Sequence, residues 1–495
     1  MADLKKVASN TTYYTISTIV LRASSLIFFP IFSLYLTKSD YGIFSVVQSL
    51  VLIVGLLGGL GLNRALTRFI YYNTEKSKSD HDSIIYTTLI SNLLGQLFFG
   101  ILVLSLGPYL LKPVLKNIPF YPYVFLGICT IFFNSFIETA RVYFKSVHEG
   151  KKAFKLDMSF FSLNILFNLI FVVGFGFDVL GLFLGILINT FFFSVFLCFT
   201  FYSKFVFQFK ANVWKEMVKY SIPLLPFTFL NVIFESIDKF FLNANTGSSE
   251  SGIYYLALTL ASIFSSFKES AVSAITPWVF ENIKSNIHSI SRVFNVLLLL
   301  TGVLGFSISL FSKELLIVLS SNPSFVEAYR YVPFAVISFY VIFLGQLFNI
   351  KTFYYGNYHK FLFVATAVGI LAEIFSCYIL IPTYGISGAI FSRTIGFSLQ
   401  TILLVYFSVK EKENPEMFNY RFLFICLIFM SCLISIPYYV SFEYSLIVNL
   451  LIKSLTIVVL IVFIYILFKK DMHRSLQLIK GRYSFIDRWL TKKDI

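Results

Sequence analysis

Charge is scarce in this chain. Only 13% of its 495 residues are Asp, Glu, Lys or Arg, about half the share a soluble domain carries. A water-soluble surface cannot be built from so few. Histidine is rarer. The five histidines (His81, His148, His288, His359, His473) all fall in short polar connectors, where an intramembrane acyltransferase has no use for them. The five cysteines (Cys129, Cys198, Cys377, Cys426, Cys432) sit inside apolar stretches with no CxxC pair. They read as small hydrophobes, neither disulfides nor metal ligands. A phosphate-binding glycine loop, metal-ligand spacing and a nucleophile arrangement are all lacking. No cofactor is expected, and the chain is not expected to be an enzyme.

What the chain does have is apolar length. Hydrophobic residues make up 57% of it, with a mean hydropathy of +0.79. A helix needs about 20 apolar residues to span the hydrocarbon core. Apolar runs between charged or Gly/Pro breaks predict fourteen spans: 11–36, 41–62, 84–106, 123–143, 158–177, 180–202, 220–242, 252–275, 293–311, 332–350, 361–381, 385–408, 422–440 and 445–468. The fold class is an all-α polytopic membrane protein. The first run is too long for a signal-peptide core and is expected to be a retained helix.

The basic residues test the count. With fourteen spans both termini share one side, which then holds 29 Lys and Arg. The other side holds five: Lys38, Lys112, Lys116, Lys313 and Arg330. By the positive-inside rule both termini are cytoplasmic, and the expected location is a bacterial inner membrane. The net charge of +15 is therefore a topology signal and not a nucleic-acid footprint. The basic tail after Phe468 carries Trp489 and is expected along the anionic inner leaflet.

A weak internal repeat is visible. Asp40-Tyr41-Gly42-Ile43-Phe44 opens the second span, and Glu250-Ser251-Gly252-Ile253-Tyr254 opens the eighth. Gly181 and Gly185 open the sixth, and Gly385 and Gly388 the twelfth. The repeat predicts two six-helix lobes, residues 1–210 and 211–412, related by an axis along the membrane normal. Residues 413–468 add two helices, and 469–495 are the cytoplasmic tail.

Three motifs carry a resemblance. The first runs from Pro30 through Leu36-Thr37-Lys38-Ser39-Asp40-Tyr41-Gly42-Ile43-Phe44, Gln48-Ser49-Leu50 and Gly61-Leu62-Asn63 to Arg68-Phe69. The second is Tyr220-Ser221-Ile222-Pro223-Leu224-Leu225-Pro226 with Asp238-Lys239. The third is Leu380-Ile381-Pro382-Thr383-Tyr384-Gly385-Ile386-Ser387-Gly388-Ala389. Over about residues 10–410 the chain resembles the polysaccharide exporters, the Wzx-type O-antigen and capsule repeat-unit flippases. These share the MOP superfamily with lipid II flippases and MATE drug exporters. The resemblance implies two six-helix lobes, a central cavity and alternating access. It implies a substrate of undecaprenyl pyrophosphate bearing a sugar repeat unit. Membrane lipids are implied partners, with a polysaccharide polymerase and a chain-length regulator as candidates.

Charges inside the spans are costly, about 2.5–3.5 kcal/mol each on insertion scales, so they mark function or a partner. Arg22 lies near the middle of the first span, where a guanidinium suits a bidentate grip on phosphate. The similar lipid II flippases place an arginine in the first helix and another in the eighth, where this chain has Lys268. Lys268 and Arg393 are the further candidates for the pyrophosphate. Snorkelling is the plain alternative for Lys268. Glu235, Asp238 and Glu373 are candidates for ion coupling or gating. Glu235 and Lys239 are i,i+4 and able to pair. Glu373 and Arg393 each lie ten residues from Thr383, about 15 Å of helix from the turn, and are expected to pair across it. Lys453 has no acid in the neighbouring span and is expected to snorkel or to meet a lipid phosphate. Glu138 and Arg141 read as a snorkelling i,i+3 pair. The aromatics read chiefly as lipid-facing packing, with some tyrosines able to stack on sugars.

The reading is a flippase driven by an ion gradient or the membrane potential. The alternatives are a MATE-type drug/cation antiporter, expected to wall its cavity with carboxylates, and a lipid II flippase. A membrane polymerase or glycosyltransferase is less favoured, because the longest outer connectors are only about 107–122 and 312–331.

Overall fold

The computed structural model describes Tyr13, Val20 and residues 28–72, 78–205, 207–355, 359–410, 417–439, 447–463 and 465–466. Arg22 and the basic tail lie outside the described residues, as does most of the first predicted span. The described chain is helical, with no strand among the described residues. Its principal helices are α1 (Phe29–Tyr35), α2 (Lys38–Gly59), α3 (Leu62–Tyr72), α4 (Lys78–Leu110), α5 (Phe125–Ser146), α6 (Gly150–Asn168), α7 (Asp178–Thr200) and α8 (Ala211–Ser221). They continue as α9 (Leu225–Phe234), α10 (Ile237–Thr246), α11 (Ser248–Asn282), α12 (Ile287–Leu319), α13 (Val332–Tyr355), α14 (His359–Lys410) and α15 (Tyr420–Tyr439), then α16 (Ile447–Phe463). Ten described stretches are long and apolar enough to cross a membrane.

Large apolar side chains point outward as well as inward, unlike those of a soluble helix. On α7 the inward stripe is Gly181, Gly185, Asn189, Ser194 and Leu197, while Phe191, Phe192, Phe196 and Phe199 are exposed. Lipid is as apolar as phenylalanine, so association rests on close packing of small residues and on hydrogen bonds. Ser194 shows both: its hydroxyl donates to the Phe133 carbonyl of α5 at 2.7 Å.

One predicted span is broken, and two others share a single helical run. The seventh, read as one helix over 220–242, is three. Ile222–Leu224 tighten to a 3-10 turn at Pro223, which lacks the amide an α-helix needs. The helix breaks again at Glu235-Ser236. The eleventh and twelfth spans are parts of α14, whose apolar stretch of 50 residues is about 75 Å long and so makes two crossings. The break is at Gly385, φ 55°. A Cβ there would be strained and would lie 2.9 Å from Glu250 Oε2.

α3 and α8 were expected to be polar connectors. Each is an amphipathic helix. On α3, Leu62, Ala65, Leu66 and Ile70 are buried and Arg64 and Arg68 exposed. The Arg68 guanidinium stacks 4.3 Å from the Tyr220 ring centroid of α8.

The chain forms two compact units, each discontinuous in sequence. The first is Met1–Leu256, Leu319–Glu327 and Glu373–Ser392. The second is Ala257–Val318, Ala328–Ala372 and Arg393–Ile495.

Candidate functional site

In the first unit the two copies of the repeat motif touch. Thr37 and Asp40 form a capping box that starts α2: the Asp40 carboxylate accepts from the Thr37 amide at 2.7 Å. α11 starts at Ser248. The two helix starts cross with their glycines in contact. A methyl on Gly42 would fall on the Ser248 carbonyl oxygen, and one on Gly252 would fall on the Lys38 carbonyl oxygen. The contact is reciprocal, since each glycine meets the residue four positions before the other. Ser39 Oγ and Ser248 Oγ lie 2.6 Å apart across it. Around it, Lys38 pairs with Glu327 at 2.9 Å, and the Ser321 amide donates to Ser33 Oγ at 3.0 Å.

A cavity of about 430 Å³ lies deeper in the same unit. Its wall on α2 runs from Gln48 to Gly59, starting about 9 Å along the helix from Gly42. Carboxamides dominate its polar lining: Gln48, Asn63, Asn92, Gln96 and Asn134, from α2, α3, α4 and α5. Thr130, Ser135 and Thr190 add hydroxyls. Glu138 is the single charged group among the described residues of the lining. It is ion-paired with Arg141, which also holds the buried Asp157 at 2.6 Å. The snorkelling pair expected from sequence is thus part of a three-membered cluster, because α6 supplies the second acid.

Asp238 is fully buried in the first turn of α10. The break at Glu235-Ser236 exposes that helix's N-terminal amides, which favour a carboxylate. The Tyr254 hydroxyl donates to Asp238 Oδ2, and the Lys239 amide to Oδ1 at 2.8 Å. Glu235 is exposed at the break. The Lys239 ammonium lies 3.3 Å from Ser49 Oγ.

Buried charge is sorted by sign between the units. Among the described residues the first unit buries Asp82, Asp157, Asp238 and Glu373. The second buries Lys268, Lys351, Arg393 and Lys453 with one acid, Glu314. Lys268 is only 4% exposed, so it does not snorkel. Its Nζ is 3.4 Å from Gln346 Oε1 and 4.0 Å from Glu269. The Arg393 guanidinium lies about 6 Å from the rings of Phe339 and Phe397. Lys351 is not in a connector, as its place in the basic count assumed. It is 1% exposed inside α13 and donates to the Ser408 carbonyl at 3.1 Å. Lys453 neither snorkels nor faces lipid phosphate. It is buried against Glu314, 2.7 Å away on α12. Glu314 lies far from Lys453 in sequence and not in the adjacent span.

Sequence reasoning missed the carboxamides altogether. Asn92 and Gln96, one helical turn apart within an apolar run, were the available signal.

This order of helices is shared with several solved membrane proteins. The lipid II flippase MurJ, in an inward closed conformation, superposes with a TM-score of 0.71 at 13% identity, over 91% of this chain and 98% of MurJ. An inward-facing multidrug resistance MATE transporter gives 0.61 at 16% identity, over 81% and 94%. A MOP superfamily transporter from Pyrococcus furiosus gives 0.52 at 15% identity, over 81% and 92%. These identities establish the fold. No curated protein matches the chain by sequence. The signature of the polysaccharide biosynthesis protein family matches residues 7–283, more than half of the chain, and the chain belongs to that family. It is a multi-pass membrane protein with the fold of the MurJ and MATE structures.

Proposed function

We propose that the protein flips undecaprenyl-pyrophosphate-linked oligosaccharide repeat units from the cytoplasmic to the periplasmic leaflet of the inner membrane. The pathway served is O-antigen, capsule or exopolysaccharide synthesis. The observation that carries this reading is the buried cationic character of the second unit. Lys268, Lys351 and Arg393 are all withdrawn from water in that unit, and Lys453 is buried there against Glu314. A diphosphate is the complementary ligand, and electrostatic matching favours its capture. Arg22, Lys268 and Arg393 engage the pyrophosphate while the prenyl chain stays in lipid. Two lobes, residues 1–210 and 211–412, alternate access to the site.

No phosphate-binding loop is present in the sequence, so the drive is an ion gradient or the membrane potential. Asp238 is the leading coupling group, with Glu235 and Glu373 as partners in coupling or gating. The first unit's buried acids supply the one observation that favours a cation-antiporter reading. Three of them, Asp82, Asp157 and Asp238, lie within residues 1–256.

The test is deletion of the gene with complementation. Loss of surface polysaccharide, with lipid-linked repeat units retained on the cytoplasmic leaflet, is expected. Wild-type protein restores export, and Arg22→Ala at equal expression does not. Normal surface polysaccharide in the deletion strain overturns the reading. Acquired sensitivity to cationic drugs instead points to the antiporter.

A further inference from the structure

The carboxamide cavity of the first unit has no place in diphosphate capture. Among the described residues its lining contains no Lys or Arg, and the one carboxylate there, Glu138, is held by Arg141. It suits neither an anion nor a free cation. Its volume of about 430 Å³ falls within the range of small-ligand sites, roughly 300–1,000 Å³.

The fold does not use all of this polarity. The Thr130, Ser135 and Thr190 hydroxyls are spent on carbonyls of their own helices. Asn92 Nδ2 donates to Asn63 Oδ1 at 3.1 Å, and Gln96 Nε2 to the Gly55 carbonyl at 2.7 Å. Yet Asn92 Oδ1 and Gln96 Oε1, both buried, accept from no protein group among the described residues. Gln48 and Asn134, half-buried on the wall, make no side-chain hydrogen bond within the described structure. Buried polar groups are normally satisfied, and a carboxamide placed in a membrane helix for packing alone is costly. A carboxamide offers two donors and two acceptor sites in one plane, which matches neighbouring hydroxyls on a neutral sugar ring. Phe160 supplies an apolar surface on the same wall.

We infer that this cavity is a neutral-sugar subsite that receives part of the oligosaccharide headgroup, with Gln48 and Asn134 as its principal specificity residues. The division of labour is chemical: cations elsewhere hold the diphosphate, and carboxamides here read the sugar. The inference rests on the flippase reading above, and the two fail separately in the following experiment.

Purified full-length protein is titrated with two lipids, followed by native mass spectrometry. One is undecaprenyl diphosphate. The other is undecaprenyl diphosphate bearing a neutral N-acetylhexosaminyl disaccharide. Wild type is expected to bind the sugar-bearing lipid at least tenfold more tightly. Gln48→Leu and Asn134→Leu are each expected to lose at least fivefold for the sugar-bearing lipid and less than twofold for the bare one. Neither side chain is bonded to the fold among the described residues, so both variants should keep the wild-type melting temperature. Equal affinity of wild type for the two lipids overturns the sugar subsite and leaves the flippase reading standing. Equal losses for both lipids in the variants also overturn it. Binding of neither lipid by wild type overturns both.

Discussion

Lys453 Nζ lies 2.7 Å from each carboxylate oxygen of Glu314 and donates a third bond, also 2.7 Å, to the Leu310 carbonyl. All three donors of the ammonium are therefore used, and both side chains are buried. α16 otherwise exposes leucine, isoleucine and valine on most of its surface, and this pair ties it to α12. Removing one partner of a buried pair leaves an uncompensated charge, at a cost of about 3–5 kcal/mol. Glu314→Gln and Lys453→Met are each expected to lower the melting temperature in detergent. The double variant Glu314→Met with Lys453→Met is expected to recover most of the loss. A double variant no more stable than either single one would show that the pair is not the source of the stability.

Ser39 and Ser248 touch across the glycine crossing, with hydroxyl oxygens 2.6 Å apart. Ser39→Cys combined with Ser248→Cys is expected to form a disulfide in membranes under mild oxidant, read as a gel shift after cleavage between the two sites. If the crossing opens during transport, the crosslink arrests export and a reductant restores it. Export that continues in the crosslinked protein would show that the crossing does not open.

Gly42→Val and Gly252→Val each place side-chain atoms on a backbone carbonyl of the partner helix. Backbone cannot move aside as a flexible side chain can, so the helices must separate. Overpacking of this kind costs about 1–3 kcal/mol. Both variants are expected to lower thermal stability and to increase protease access at residues 37–42. Gly42→Ala should show the smaller effect.

Asp238 in its buried niche is expected to be essential for transport and dispensable for folding. Asp238→Asn keeps the shape and can still receive the Lys239 amide, so expression and melting temperature should stay near wild type while export is lost. Tyr254→Phe removes the hydroxyl that donates to Asp238 and should weaken export without abolishing it. Full export by Asp238→Asn would remove this carboxylate from coupling.

Lys268→Ala and Arg393→Ala test the cationic second unit. Both are expected to reduce surface polysaccharide at least tenfold at matched expression, with Arg393→Lys intermediate because lysine lacks the planar fork. The measurement is polysaccharide on whole cells, with lipid-linked precursor counted alongside.

The helical, multi-pass character of the chain was legible because its signal is additive: each span repeats the same apolar pattern, and local errors do not propagate. The glycine crossing was half legible. The motif at Gly42 and its copy at Gly252 are visible in the sequence, but only coordinates show that the copies touch. The turn before Gly385 separates two predicted spans, as the sequence suggested. The breaks at Pro223 and at Glu235-Ser236 both fall inside a single predicted span, because the apolar run continues through them. Partners of buried charges were the least legible. Glu314 and Lys453 are far apart in sequence, and a pairing rule confined to adjacent spans cannot find them. The carboxamides escaped because charge was the only polarity sought.

The reciprocal contact of the two glycine motifs has a consequence for descent. An interface that maps onto itself when its halves are exchanged is the isologous kind, in which one patch meets its own copy. A chain half this length carries everything that such a handshake requires, once in each of two molecules. Fusion of two such genes would preserve the joint without inventing a new one, and would free the other faces of each half to diverge.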